Sequence, residues 1–520
     1  MPSERPHIGQ SSLFKNALLN LIGMVLPAMV ALLAIPLCIR TYGEEQFGLL
    51  SLAWTFLVSS AFLDLGMGIS TTKHSAEALR AGRSHDLPVI VWSSLAVNMI
   101  AGVFLALVIS LAAPTVADAL LGRSQSLRDD SVTLIIFVAG SLPFITSAAV
   151  LRGVLESSNR FDLTNAVKVP SSSLLFLIPA LGALFSLPLL DVVLLLALSR
   201  VLTALAFLFL VVWLYPEVRT RISVSFARAT SLFKFGRWVG LSSILNPVMN
   251  QGEKIIIPAM LSVGALTYYS APHEMVARLA AIPFSLAIAL LPKLSFLGKE
   301  DVGLLKEQVI LRPVKYLAVV ITPLVAIFVY FSQEILAIWL GKSFVTASSD
   351  LLVILACAYF FNAFAYIGFS AVQGLGHPEK KAKLDLVLAP LFIVLCWLLI
   401  QRFGLLGAAL AKFLIFITDA ICLFWLLKSI LGLRMVNLFP AGLRLFLTGS
   451  GGILVLGVLL HALGASLVVR GASFILLSIA LALLWWGYAV SSDERLTLRS
   501  HLVKLRTLAG DRPISLDEQG

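Results

Sequence analysis

Charge is scarce in this sequence. Only 13% of its 520 residues are Asp, Glu, Lys or Arg, whereas 59% are hydrophobic and mean hydropathy is +0.96. A soluble chain of this length needs a far larger polar fraction to cover its surface, so lipid must be the solvent of most residues. Cysteine is scarce too. Cys38, Cys357, Cys396 and Cys422 all fall inside apolar stretches, without metal-ligand spacing or a disulfide partner, and read as small core hydrophobes. There is no Walker loop, no Cys/His metal pattern and no nucleophile elbow. No metal or cofactor is therefore expected, and nucleotide hydrolysis by this chain is excluded.

What the sequence has instead is a succession of long apolar runs. A spanning helix needs roughly 20 mostly apolar residues. The first run, Asn16 to Ile39, carries no charge, is too long for a signal-peptide core and has no cleavage site after it, so it is expected to stay as a helix. Spans are predicted at about 16–39, 46–70, 87–113, 131–151, 163–186, 189–215, 237–259, 264–292, 313–332, 349–373, 384–401, 404–427, 445–464 and 472–490. The expected fold is an all-α integral membrane protein of about 14 transmembrane helices.

The net charge of +11 has a topological explanation. With the N-terminus inside, the inward connections and both tails hold 28 of the 39 Lys and Arg residues. The outward connections hold seven: Arg40, Arg123, Arg128, Lys254, Lys342, Arg402 and Arg470. That asymmetry is the positive-inside rule and places both ends in the cytoplasm. It accounts for the charge without nucleic acid, and the basic stretch from Pro216 to Arg237 reads as lying along the inner headgroups.

One pattern recurs about 220 residues apart. Ile35-Pro36 with Gly43 and Phe47 returns as Ile257-Pro258 with Gly264 and Tyr268. Val150-Leu151-Arg152-Gly153 with Pro170 returns as Ala371-Val372-Gln373-Gly374 with Pro390, and Ala197-Leu198-Ser199-Arg200 as Ala409-Leu410-Ala411-Lys412. Six predicted helices separate the copies, which predicts two six-helix lobes related by a parallel pseudo-two-fold repeat, with a binding site between them. The expected divisions are an N-terminal lobe at 1–215, a cytoplasmic basic linker at 216–236, a C-terminal lobe at 237–430, an accessory helix pair at 431–490 and a cytoplasmic tail at 491–520.

Charges within spans are expensive and tend to face a cavity or a partner. Arg200 lies about 13 Å inside its helix from Asp191, Lys412 about 12 Å from Gly404 and Arg278 about 18 Å from Leu266, all near the midplane of a core roughly 30 Å thick. A cavity lined by these cations suits an anionic group such as a phosphate. Plainer readings exist for most. Glu274 and Arg278 are four apart and could pair, and Lys412 and Asp419 share a face. Lys168, near its helix start, is expected to snorkel to the inner headgroups. Asp64 and the Glu253-Lys254 pair sit near span ends, where interfacial placement competes with ion coupling. Arg200 has no acidic residue on its own helix within one turn, which makes it the leading candidate for a substrate contact. Trp238, Tyr268 and Tyr269 could stack on sugar rings or anchor at the interface. Prolines within spans, such as Pro36, Pro143, Pro170 and Pro390, are expected to bend or break helices.

The run Tyr42-Gly43-Glu44-Glu45-Gln46-Phe47-Gly48-Leu49, followed by Asp64-Leu65-Gly66, resembles the N-terminal signature of the Wzx-type polysaccharide flippases, within the multidrug/oligosaccharidyl-lipid/polysaccharide exporter superfamily. Further matches are Leu155 to Phe161 with Asn165, Phe235-Gly236-Arg237-Trp238, Tyr268 through Arg278 to Ile282-Pro283 and Leu291-Pro292, Ile335 to Gly341 with Phe344, Gln373-Gly374-Leu375-Gly376, and Phe403-Gly404 to Ala411. The ordered series, rather than any one element, carries the likeness. The resemblance implies two six-helix lobes around a central cationic cavity, alternating access, and a bacterial inner-membrane location. Its implied substrate is an undecaprenyl-diphosphate-linked oligosaccharide bound for the periplasmic leaflet, and its implied partners are other polysaccharide-assembly membrane proteins. Members commonly carry an acid-base pair, Asp first, where this chain has Glu253-Lys254.

Two other readings compete. A drug/cation antiporter of the same superfamily calls for an acidic rather than a basic cavity. A membrane-embedded polymerase or glycosyltransferase needs a sizeable outward loop, whereas the longest expected here, Pro114 to Asp130, is short and offers only Arg123, Arg128 and acids. No enzymatic activity is expected. A transporter of this chain alone would run on an ion gradient or on its substrate's own gradient.

Overall fold

The computed structural model describes residues 10–59, 66–121, 128–158, 160–226, 230, 241, 244–287, 306–432 and 441–489. These residues form an all-α, multi-pass membrane fold. Among them, eleven helices are long and apolar enough to cross a bilayer, against fourteen predicted spans. The difference has local causes. The first predicted span and residues 46–59 of the second lie in one element, α1 (Gln10–Ser59), whose backbone departs from helix at Gly43 (φ 76°, ψ 178°). The predicted spans at 237–259 and 264–292 appear as shorter pieces: helical residues 244–251, α8 (Glu253–Met260) and α9 (Val263–Ala277), the last continued by a 3-10 turn at Arg278–Ala280 and helical residues 281–287, with a turn at Gly252 and a break at Leu261–Ser262.

Gly43 folds α1 back on itself. A positive φ is cheap only without a Cβ. The first arm runs alongside α5 (Phe161–Leu184): Gly23 meets Val169, and the Tyr42 hydroxyl lies 2.9 Å from the Cβ position of Gly182. A straight helix would carry Trp54 about 18 Å beyond Tyr42. Instead Trp54 returns to the middle of α5, where its indole donates to the Leu175 carbonyl at 3.0 Å and its ring sits 5.0 Å from that of Phe176.

The remaining N-terminal helices are α2 (Met67–Arg80), α3 (Leu87–Leu121), α4 (Arg128–Ser157), α6 (Leu189–Leu214) and the short α7 (Pro216–Thr220). α3 runs eight residues past its predicted end, straight through Pro114. The outward connection is therefore shorter than expected, and the Arg128 guanidinium bonds Asp118 across it at 3.1 Å. Close packing of α3 on α4 follows from small residues: a Cβ at Gly102 would stand 2.6 Å from Pro143.

The C-terminal half continues with α10 (Arg312–Tyr330), α11 (Ser332–Trp339), α12 (Lys342–Gly374), α13 (Pro378–Phe403) and α14 (Leu405–Leu431). Prolines rarely end helices here. Pro272, Pro323 and Pro390 all lie within continuous α-helix, whereas Gly341 and Gly404, both at positive φ, stand at helix boundaries. Pro272 cannot donate to the Tyr268 carbonyl, and the Ser348 hydroxyl supplies the missing hydrogen at 2.8 Å. The last pair, α15 (Ala441–Ala462) and α16 (Leu467–Leu484), docks on α10. Arg470, counted from sequence as an outward charge, is buried there: it donates to the Tyr330 carbonyl at 2.8 Å and to Glu334 at 2.6 Å.

The two halves meet at the Gly43 end. Thr267 donates to the Glu44 carbonyl, and the Tyr268 hydroxyl to the Glu44 carboxylate. Trp339 donates to the Leu32 carbonyl at 2.7 Å. One hydrophobic core runs through both halves, and a second, smaller one lies within the N-terminal helices. Gly48 permits the closest approach, because a Cβ there would stand 2.2 Å from the Val263 carbonyl oxygen. Gly48→Ala is therefore expected to lower the melting temperature of the purified protein by several degrees. Gly140→Ala, where a Cβ meets nothing within 4 Å, should melt with the wild type; equal melting of both variants would refute the close approach.

Candidate functional site

The charged residues of α8 and α9, with Arg278 and Lys412, are bound to one another. α8 carries Glu253 and Lys254, α9 carries Tyr269, His273 and Glu274, Arg278 follows α9 directly, and α14 carries Lys412. On α9, Tyr269 and His273 are one turn apart, as are Glu274 and Arg278, so each pair shares a face. Glu274 accepts from Arg278 at 2.7 Å and from Lys254 at 2.8 Å. Lys412 is 0% exposed, and its ammonium has three acceptors: Glu253 at 2.8 Å and the carbonyls of Met249 at 3.1 Å and Asn250 at 2.6 Å. An ammonium has three protons, so none is left for a further ligand. The two carbonyls belong to the turn of helix just before Gly252. Phe392 and Phe416 close over the same ammonium, their ring centroids 5.4 and 5.2 Å away. The other Glu253 oxygen accepts from Tyr269 at 3.3 Å and lies 3.6 Å from His273, which Tyr359 contacts at 3.1 Å.

This arrangement answers several expectations. Glu274 and Arg278 do pair. Lys412 and Asp419 do not: each is taken by another helix. Asp419 accepts from Lys381 at 2.8 Å, and the same ammonium sits 2.7 Å from Asp385. The Glu253-Lys254 pair is buried, and its members face different partners rather than each other. Tyr269 is buried against Glu253, and Tyr268 is engaged at the junction of the halves, so neither is a free stacking surface. Asp64 and Trp238 lie outside the described residues.

Sequence reasoning missed Lys381, Asp385, His273 and Tyr359. Lys381 was counted with the charges of an inward connection. α13 begins at Pro378, six residues before the predicted span, and takes Lys381 into the protein. The signal was available as an i,i+4 Lys381–Asp385 pair leading into an apolar run. Among the described residues no group of three or more His, Cys, Asp or Glu is placed to hold a metal ion.

Arg200 is arranged differently. Its Nη1 donates to Ser171 of α5 at 3.2 Å, and Ser171 in turn bonds Thr203 at 2.8 Å. Its Nε and Nη2 are buried without a hydrogen-bond partner, and no carboxylate among the described residues lies within ion-pair reach. α6 exposes Leu194, Leu198, Leu202, Leu205 and Phe209 along one stripe, which faces lipid. At about 100° per residue Arg200 lies opposite that stripe, among Val193, Leu196, Ala197, Ala204 and Phe207 of the buried face. The guanidinium thus points into the protein at mid-depth. Arg278 approaches from the other half: its side chain is 30% exposed, and its guanidinium carbon lies 4.7 Å from the centroid of Phe176 on α5.

Comparison with known proteins agrees with this picture. The sequence model of a family described as "Polysaccharide biosynthesis protein" matches residues 38–349. A Shigella flexneri protein named "Putative O-antigen transporter" is 26% identical over 419 residues, covering 80% of this chain and 97% of that protein. The fold is similar to that of the lipid II flippase MurJ in its inward closed conformation, with a TM-score of 0.65 at 13% identity over 90% of this chain and 99% of the other. It is also similar to an inward-facing multidrug transporter of the MATE family, with a TM-score of 0.63 at 16% identity over 80% and 98% of the two chains.

The buried Lys412–Glu253 pair carries a stability prediction. Lys412→Met leaves Glu253 desolvated and unpaired, a change that costs about 3–5 kcal/mol. Thermal melting of the purified protein should show a large drop for K412M and recovery of most of it in the Lys412→Met, Glu253→Gln double variant. A K412M protein that melts with the wild type would contradict the pairing.

Proposed function

The chain belongs to the polysaccharide biosynthesis protein family, within the MOP superfamily of membrane transporters, and from that premise we propose that it moves a polyprenyl-diphosphate-linked oligosaccharide from the cytoplasmic to the outer leaflet of a bacterial inner membrane. The observation that carries the reading is Arg200. An arginine held at mid-depth with no counter-charge among the described residues is costly in a bilayer interior, and it is a site for an anion to fill. A guanidinium matches phosphate oxygens with paired, charge-assisted hydrogen bonds. The unpartnered Nε and Nη2 supply such a fork. Arg278 offers a second guanidinium from the opposite half. Lys412 enters this reading as the internal counter-charge of Glu253 rather than as a substrate contact.

Two lobes, one on each side of this site, would alternate access to it. In the conformation described the halves are joined at the Gly43 end, the outward end in the orientation that charge asymmetry favours. Both termini then face the cytoplasm. The name of the Shigella flexneri relative supports a surface-glycan substrate. A drug/cation antiporter would need an uncompensated carboxylate in the passage, whereas Glu253, Glu274 and Asp419 each hold a cation.

Reconstitution tests this directly. In proteoliposomes containing a fluorescent prenyl-diphosphate-linked glycan, the wild-type chain should transfer the lipid between leaflets. Arg200→Gln should slow transfer about 10- to 100-fold, the loss of one or two charge-assisted hydrogen bonds. Arg200→Lys should retain an intermediate rate. Wild-type transfer by R200Q would overturn the assignment, and uptake of organic cations in place of the glycolipid would favour the antiporter.

A further inference from the structure

Lys168 stands on the side of α5 that faces the protein rather than on its lipid-facing stripe. α5 exposes Ala166, Pro170, Leu177, Leu181 and Leu184, which mark its lipid-facing stripe. At about 100° per residue, Lys168 lies roughly opposite that stripe. Its neighbours there are Thr164, Asn165, Ser171, Leu175, Phe176 and Pro179, all buried. Yet Lys168 is itself exposed. An exposed side chain in the middle of a protein-facing stripe looks into an internal opening, not into lipid. Among the described residues Lys168 has no carboxylate within ion-pair reach. Glu156, the acid in electrostatic range, is already engaged by Arg152 at 3.5 Å.

Two further cations stand above it on the same helix face. Ser171, three residues on, holds Arg200. Phe176, five residues beyond that, carries Arg278 over its ring. At a rise of 1.5 Å per residue these heights are about 4.5 and 7.5 Å apart, some 12 Å in all. Compensation changes along the way: Lys168 and Arg200 have no ion pair among the described residues, and Arg278 shares Glu274 with Lys254.

Resting on the flippase reading above, we infer that Lys168, Arg200 and Arg278 form a stepped anion track along the interior face of α5, with Lys168 the first contact of an incoming prenyl diphosphate. The track extends from the end of α5 remote from Gly43 towards the junction of the halves. A dianionic headgroup moving along it meets the next cation before it leaves the last, so the cost of desolvating its charge is never met in one step. The hydroxyls of Ser171 and Thr203 hold the middle rung in place.

The test uses the full chain in nanodiscs and farnesyl diphosphate as the probe. Lys168→Gln should weaken binding about tenfold, the loss of one charge-assisted contact, and should flatten the salt dependence of binding; Lys168→Arg should restore both. A purely structural lysine would leave the salt dependence unchanged. Should K168Q fold poorly, Lys168→Cys allows the charge to be set after folding. A cationic thiol reagent is expected to return binding and an anionic one to abolish it, and equal binding after both reagents overturns the track. Inorganic pyrophosphate competing as strongly as farnesyl diphosphate assigns the track to the free anion, competition by the lipid alone assigns it to the headgroup, and binding of neither overturns it. If K168Q binds as wild type while R200Q is weakened, the track fails and the flippase reading stands. If R200Q also binds as wild type, both fail.

Discussion

A charge taken into the bilayer interior must find its compensation inside the protein, and the rest of this structure is organised around how that demand is met. In the C-terminal half it is met completely for Lys412, whose ammonium is shared among Glu253 and two carbonyls. Lys254, Arg278 and Glu274 compensate one another, and so do Lys381, Asp385 and Asp419. These links join α8, α9, α13 and α14, so the half is held together by buried ion pairs as well as by packing. Removing one partner from such a pair leaves an isolated charge, which is far more costly than never having had the pair. In the N-terminal half the demand is left open at Arg200 among the described residues, and an open demand is what an anionic ligand can satisfy.

The backbone sets the surroundings of that open charge. Gly43 turns α1 into two arms, and the second arm brings Trp54 back onto α5 beside Phe176. Gly48 lets the same hairpin approach Val263 at backbone distance. Both devices depend on a missing Cβ, and together they join the two halves at one end. With that end joined, Arg278 reaches from one half to Phe176 of the other. The two guanidiniums are thereby brought to neighbouring levels of α5 from opposite sides.

Much of this was legible in the sequence, for identifiable reasons. Arg200 stood out because nothing acidic lies within a turn of it, and the structure finds no carboxylate for it among the described residues. The Glu274–Arg278 pair was legible because i,i+4 neighbours meet on any helix. Other features were not. Lys412 and Asp419 share a face, yet both are drawn to other helices at shorter distances than their own spacing allows. Lys381 looked like a topological charge because α13 begins earlier than its hydropathy suggests. Pro143, Pro170 and Pro390 looked like breaks but lie within continuous helix; a carbonyl freed by a proline can be satisfied from a neighbouring helix, as Ser348 does for Tyr268 opposite Pro272. Hydropathy cannot report such neighbours.

The sequence by itself determined that lipid surrounds this chain, that it is helical throughout the bilayer, and which few cations lie within the apolar runs. Those are properties of composition and of local periodicity, and they need no knowledge of the fold. Only the tertiary structure decided which of those cations are spent and which remain available. Lys412 is neutralised by a carboxylate 159 residues away, whereas among the described residues Arg200 meets only a serine 29 residues away. Ion pairing acts over about 3 Å in space and is indifferent to separation along the chain, so its outcome is settled by packing alone.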